Sequence, residues 1–205
     1  WHQLHDSIRG AGNRLFSNDA SAAQYDAQSI KSFDSNGFTI GTSSDFTGDC
    51  VAWCWKGGGD AVPNTNGDIT SQVSANTEAG FSIVKWTGTG ANSTVGHGLD
   101  YPPEMIITKN TDDSAENWNC WHTGLSGNEY RITLNQSSAE DGTSPTVWNS
   151  NINPTSTTFS LGSAAAANGS SNAIIAYCFH SVAGYSKIGS YTGNGSSTGP
   201  IVTTG

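Results

Sequence analysis

The sequence predicts an all-β fold, built from sandwich or jelly-roll-like units in tandem with little helix. Three observations predict it. Gly, Ser, Thr and Asn make up 93 of the 205 residues, with 7 Trp, 7 Phe and 6 Tyr spread among them; turn formers with interspersed aromatics read as short strands joined by tight turns. Several segments alternate with period two. The chain also repeats its own pattern about 100 residues on.

Composition excludes several classes. Good helix formers are too scarce for a helical bundle or coiled coil, and no apolar run reaches the roughly 18 residues of a membrane-inserted helix. Eight basic against 17 acidic residues give a net charge of −9. Arg9, Arg14, Lys31, Lys56, Lys85, Lys109, Arg131 and Lys187 stand singly, so no basic stripe is offered and a nucleic-acid partner is not expected. The aromatics argue against disorder. The chain begins at Trp1 with neither Met nor a signal-peptide pattern, and reads as a processed product or an excerpt of a longer protein.

In chain order, residues 20–27 suit one or two helical turns, and residues 51–55 a strand with Trp53 and Trp55 on one side and Ala52 and Cys54 on the other. Residues 81–86 carry apolar side chains on both faces, as a strand between two layers does. Strands follow at 104–109, 130–134 and 157–161, then a short Ala run at 164–167 closed by Asn168-Gly169. In 174–179, Ile175, Tyr177 and Phe179 share one face while Ile174, Ala176 and Cys178 share the other. Asn-Gly at 36–37, 66–67, 168–169 and 194–195 marks tight turns. Cys50 and Cys54 in a straight strand would lie about 13 Å apart, beyond the roughly 7 Å a disulfide allows. All four cysteines (50, 54, 120 and 178) therefore read as reduced, buried, small apolar residues, suited to assembly in a reducing cytosol. No second ligand pair accompanies Cys50 and Cys54 to make a zinc site.

The internal repeat divides the chain. Trp1, His5, Gly10 and Arg14 match Trp118, His122, Gly127 and Arg131 at an offset of 117. Phe38-Thr39-Ile40-Gly41 matches Phe159-Ser160-Leu161-Gly162 at 121, and Ala52-Trp53-Cys54-Trp55 matches Ala176-Tyr177-Cys178-Phe179 at 124. Ala79-Gly80-Phe81-Ser82 matches Ala183-Gly184-Tyr185-Ser186 at 104, and Thr87-Gly88-Thr89-Gly90 matches Thr192-Gly193-Asn194-Gly195 at 105. Residues 79–182 then form one complete unit, 1–56 the back part of a preceding unit, 183–205 the start of a following one, and 57–78 a linker or long loop.

These blocks carry a family resemblance, together with Val95-Gly96-His97-Gly98-Leu99, Pro103-Glu104-Met105-Ile106-Ile107-Thr108-Lys109-Asn110, Asn117-Trp118 and Pro154-Thr155-Ser156. Over nearly its whole length the chain resembles an uncharacterised repeat domain of virion structural proteins from marine and cyanobacterial tailed phages, one often found beside concanavalin A-like lectin domains. The resemblance implies a tail-fibre, spike or surface-appendage role, a homotrimer in contact with other virion proteins, and assembly in the host cytoplasm. It supplies no catalytic residues and no known ligand.

Few motifs carry chemistry. Gly195-Ser196-Ser197-Thr198-Gly199 has the form of a nucleophile elbow, but it lies in a Gly/Ser loop followed by Pro200 rather than by a helix. In His5-Asp6-Ser7 adjacent residues point to opposite faces and cannot form a local relay. Asp112, Asp113, Glu116, Glu140 and Asp141 read as turn carboxylates, with paired glycosidase acids as the sharper alternative. No metal or cofactor site is expected. Trp86, Trp118, Trp121 and Trp148 are the ligand candidates, because indole faces stack on sugars; their competing role is core filling. The expected function is a non-enzymatic fibre or spike segment attaching to host-surface polysaccharide. A capsid decoration or head-fibre module, a polysaccharide depolymerase and a bacterial surface adhesin are the alternatives.

Overall fold

The computed structural model describes residues 2–142, 146–149 and 152–204. The fold is all-β, arranged in three layers. The first layer is β1 (Gln3–Leu4), β2 (Asn13–Phe16) and β3 (Gln24–Tyr25), in that order. A hairpin of β4 (Ile30–Asp34) and β5 (Gly37–Ile40) follows, turning at Asn36-Gly37.

The central layer has seven strands: β6 (Val62–Asn64), β7 (Ser71–Asn76), β8 (Phe81–Thr87), β10 (Met105–Asn110), β11 (Asn119–His122), β12 (Ile132–Thr133) and β14 (Ala173–Phe179). Their order is β12-β11-β10-β14-β8-β7-β6, antiparallel throughout. The third layer pairs β9 (Ser93–Gly96) with β13 (Thr158–Leu161). A single helical turn, α1 (Ala165–Asn168), precedes β14.

Alternation along β14 explains the layering. Ile174, Ala176 and Cys178 face one core, shared with Val84, Trp86 and Ile106 and closed by Val95, Phe159 and Leu161 of the β9–β13 pair. Ile175 and Tyr177 face a second core with Phe81, Ile83 and Trp118, closed by Leu15 of the first layer with Leu4, Ile8 and Ala23 packed beside it. A sheet covered on both faces needs apolar residues on both, and β8 and β14 supply them.

Buried polar bonds pin the first layer to the sheet. Trp118 Nε1 donates to the Phe16 carbonyl at 2.8 Å, and Tyr177 Oη donates to Asp6 at 2.7 Å. Asp6 is also paired with Arg9, and both are almost fully buried. The Lys109 ammonium is wholly buried. It donates to the carbonyls of Ala20, Asn110, Asp113 and Glu116 at 2.7–3.3 Å, and burial pushes it down to about 8. On the opposite side, Asn168 is wholly buried and holds the loop after β8 through Thr89 and Ala91. Gly88 has no room for a side chain there: a Cβ would stand 2.1 Å from the Gly169 carbonyl oxygen.

Several expectations need correction. Residues 57–78 are not a plain linker: they carry β6 and β7, the edge of the central sheet. Their apolar signal is weak because β7 buries Ser71 and Ser74, whose hydroxyls donate to the Gly96 and Gly59 carbonyls. Residues 20–27 hold β3 and no helix; pairing with β2 overrides the Ala content. The strand expected at 130–134 shrinks to Ile132–Thr133. Residues 51–55 form no strand. Trp53 is 81% exposed, whereas its repeat counterpart Tyr177 is 5% exposed. β14 is held between β8 and β10, and residues 51–55 have no such neighbours. Cys50 and Cys54 are consequently exposed; Cys120 is half-buried, Cys178 is buried, and all four are free.

His97 sets an acid limit on stability. It is wholly buried; Nδ1 accepts from the Leu99 N–H and Nε2 lies 3.1 Å from the Thr155 carbonyl, to which it donates. Both bonds are satisfied by the neutral ring, and burial pushes it from 6.5 down to about 4. Between those values the unfolded chain takes up a proton that the folded one refuses, so stability falls as pH drops from 6.5 towards 4. The expected loss from this ring is about 3 kcal/mol, at roughly 1.4 kcal/mol per unit. His5, pushed to about 4 by burial and then by Arg9, adds a loss of the same sign. Urea midpoints at pH 7 and pH 4.5 check this; His97→Gln should flatten part of the difference.

Candidate functional site

A concavity opens in the first layer, an exposed depression of about 270 Å³ lined by Arg14, Phe16, Asp19, Ser21, Gln24 and Asp45. β2 presents Arg14 and β3 presents Gln24, paired across the strands. Asp45 comes from a one-turn 3-10 helix at Ser44–Phe46. Arg14 Nη1 lies 2.6 Å from Asp45 Oδ2 and 3.3 Å from Asp26 Oδ2, and its guanidinium stands 5.4 Å from the Phe16 ring centroid. Gln3 Nε2 donates to the same Asp45 oxygen at 2.8 Å, and Ser29 Oγ donates to Gln3 Oε1 at 3.0 Å. The result is a fixed set of donors and acceptors around a partly apolar floor.

The four tryptophans lie elsewhere. Trp118 fills the core beneath the first layer, and Trp86, Trp121 and Trp148 fill the opposite core, where Trp86 meets Phe159 edge-on at 5.8 Å. All four are buried, so none offers a ring face to a sugar as folded. They occupy inward positions of alternating strands or loops beneath a covering layer. The hollow beside Trp121 and Trp148 measures about 10 Å³, enough for about one water.

The other candidates serve local structure. His5 Nδ1 donates to the Asn13 carbonyl, and His122 Nδ1 accepts from the Gly124 N–H. Asp112 accepts from the Ala173 N–H, Asp113 from the Ala115 N–H and Glu140 from the Ser126 N–H. Asp141 pairs with Arg131. Residues 195–199 lie in an exposed loop. Among the described residues no group of three or more His, Cys, Asp or Glu is placed to hold a metal, and no helix is long and apolar enough to cross a membrane.

The Arg14 cluster escaped sequence reasoning as a site because Asp45 lies 31 residues from Arg14. One signal was available. Arg14 and Arg131 are repeat counterparts, and each pairs with an Asp 10 to 12 residues later.

A family model described as a domain of unknown function (DUF7483) matches residues 1–205. No curated protein and no solved structure matches the chain.

Proposed function

We propose that the chain, which belongs to the DUF7483 family, is a non-enzymatic structural segment of a tailed-phage fibre or spike that meets host-surface polysaccharide through the depression around Arg14. The observation that carries this reading is the construction of the chain. Three β layers are joined by buried cores and polar bonds, as a stiff appendage requires, and the depression with its polar rim opens on the outer layer. The family resemblance supports the same role, with the chain assembled among other virion proteins.

Gold-labelled antibody against the chain, applied to virions, tests the location. Label along the tail appendage is expected. Label on the head would make it a capsid decoration or head fibre, and label confined to cells an adhesin; either result overturns the proposal. An array of host-surface polysaccharides tests the ligand. Ser21→Ala and Gln24→Ala lie at the rim and leave the ion pairs of Arg14 intact. Each is expected to weaken a retained glycan about 2–10-fold, the worth of one hydrogen bond. A wild-type chain that retains nothing on the array would overturn the attachment role and leave a shaft alone.

A further inference from the structure

The fold treats two of the Asn-Gly pairs in opposite ways. Asn168 is wholly buried. Its side-chain oxygen accepts from the Thr89 N–H at 3.0 Å, and its side-chain nitrogen donates to Thr89 Oγ1 and to the Ala91 carbonyl. The next main-chain N–H, that of Gly169, donates to the Ala165 carbonyl at 3.2 Å. Asn66 is exposed, and its main-chain N–H donates to Asn64 Oδ1 at 2.9 Å. Among the described residues neither the Asn66 side-chain amide nor the Gly67 N–H has a partner. The pairs at 36–37 and 194–195 are exposed and partly engaged: Gly37 stands in the ladder opposite Asp34, and Asn194 Oδ1 accepts from the Ser196 N–H.

Packing imposes the glycine at 67. A Cβ there would stand 2.5 Å from the Thr94 carbonyl oxygen and 2.8 Å from the Val95 Cα, so the main chain lies flat against β9. The same missing side chain leaves the Gly67 nitrogen open to approach from the Asn66 side chain. Asp68 and Ile69 continue the contact with β9. Asp68 Oδ2 accepts from the Thr94 N–H at 2.9 Å and from Thr94 Oγ1 at 2.8 Å. The Ile69 N–H donates to the Thr94 carbonyl at 3.1 Å, and Ile69 bridges Val95. Residues 67–69 are thus a strap across β9, whose wholly buried Val95 closes a core with Phe159 and Leu161.

We infer that Asn66 is a site of spontaneous modification, converted in the folded chain to aspartate and isoaspartate, and that the isoaspartate form loosens the strap on β9. The Gly67 nitrogen attacks the Asn66 side-chain carbonyl carbon and gives up its proton to solvent. The side-chain nitrogen takes up a proton and leaves as ammonia, closing a five-membered succinimide. Water then opens either C–N bond of the ring. One opening restores the main chain and leaves aspartate; the other routes the main chain through the side chain and leaves isoaspartate. The net change is one water taken up and one ammonia released, with no oxidant or reductant. Both products place a carboxylate two residues from Asp68. Isoaspartate also lengthens the main chain by one carbon just before Gly67, whose seat against Thr94 has no slack. At Asn168 the bonded side-chain amide and the bonded Gly169 nitrogen must first be released by local opening. The inference is independent of the fibre reading, and its test needs neither a ligand nor a virion.

Peptide mapping of the full 205-residue chain during incubation at pH 7.4 and 37 °C tests this, with isoaspartate counted by methyl transfer from an isoaspartyl methyltransferase. In the folded chain Asn66 is expected to convert at least about tenfold faster than Asn168. In urea beyond the unfolding midpoint the two should convert at similar rates, which assigns the difference to the fold. Hydrogen exchange reads the consequence. In the chain bearing isoaspartate at 66, the Ile69 and Thr94 amides should exchange at least about fivefold faster than in fresh protein, while those of β14, at the centre of the sheet, stay unchanged. Asn66→Gln, whose longer side chain closes the corresponding ring far more slowly, should abolish both the methyl label in this peptide and the faster exchange. Equal rates at Asn66 and Asn168 in the folded chain, a folded-state rate at Asn66 below about a tenth of its rate in urea, or unchanged Thr94 exchange in the isoaspartate-bearing chain would each overturn the inference.

Discussion

Trp118→Ala should lower the unfolding free energy by about 3–5 kcal/mol, the range for deleting a large buried aromatic. Trp118 has no exposed surface, lies between the central sheet and the first layer with Leu15, Ile175 and Tyr177, and donates its indole N–H to the Phe16 carbonyl. The loss therefore combines a cavity with a hydrogen bond, and the two can be separated. Trp118→Phe keeps most of the apolar volume and drops the N–H; it should lose less than half as much. Urea unfolding at pH 7, followed by circular dichroism, measures both. A cost below about 1 kcal/mol for Trp118→Ala would mean that the first layer is not docked as described.

Asp6→Ala should cost about 3–5 kcal/mol by a different route, the removal of one member of a buried ion pair. Asp6 holds the Arg9 guanidinium and the Tyr177 hydroxyl, and all three are nearly excluded from water. Burial, and then the Asp6 carboxylate, hold the Tyr177 hydroxyl well above its ordinary range, so it donates to Asp6 at any pH the protein survives. Deleting Asp6 strands a cation in an apolar seam. Asp6→Ala combined with Arg9→Met removes that cation and should recover part of the stability, an outcome that distinguishes a stranded charge from lost packing. Limited proteolysis gives the structural reading: with Asp6 gone, cleavage within residues 1–25 should precede cleavage of the central sheet.

Much of this fold was legible from alternation. The division of Ile175, Tyr177 and Phe179 from Ile174, Ala176 and Cys178 is the division between the two cores. The duplication appears in elements as well as letters: β1–β2 and β11–β12 are antiparallel pairs in corresponding places, and β5 corresponds to β13. The same alternation failed at Val51–Ala52–Trp53–Cys54–Trp55 because a strand exists only against neighbours, which period two does not report. β7 was hidden by its serines, whose burial depends on acceptors brought from 15 and 25 residues away.

The candidate site was harder to read. An indole has the same letter whether it faces a sugar or a core, and all four tryptophans went inward. The Arg14 depression draws on residues from 14 to 45 that meet only after β2, β3 and the turn at Ser44–Phe46 have folded together.

The enclosure of Lys109 makes the molecule a reporter of its own breathing. Its amine is held by four carbonyls and closed off from reagent, so an acylating label can reach it only when the first layer lifts or the sheet opens. Lys31, Lys56, Lys85 and Lys187 retain some surface and stay open to the reagent. The ratio of the two labelling rates measures how often that amine is uncovered, without any engineered probe.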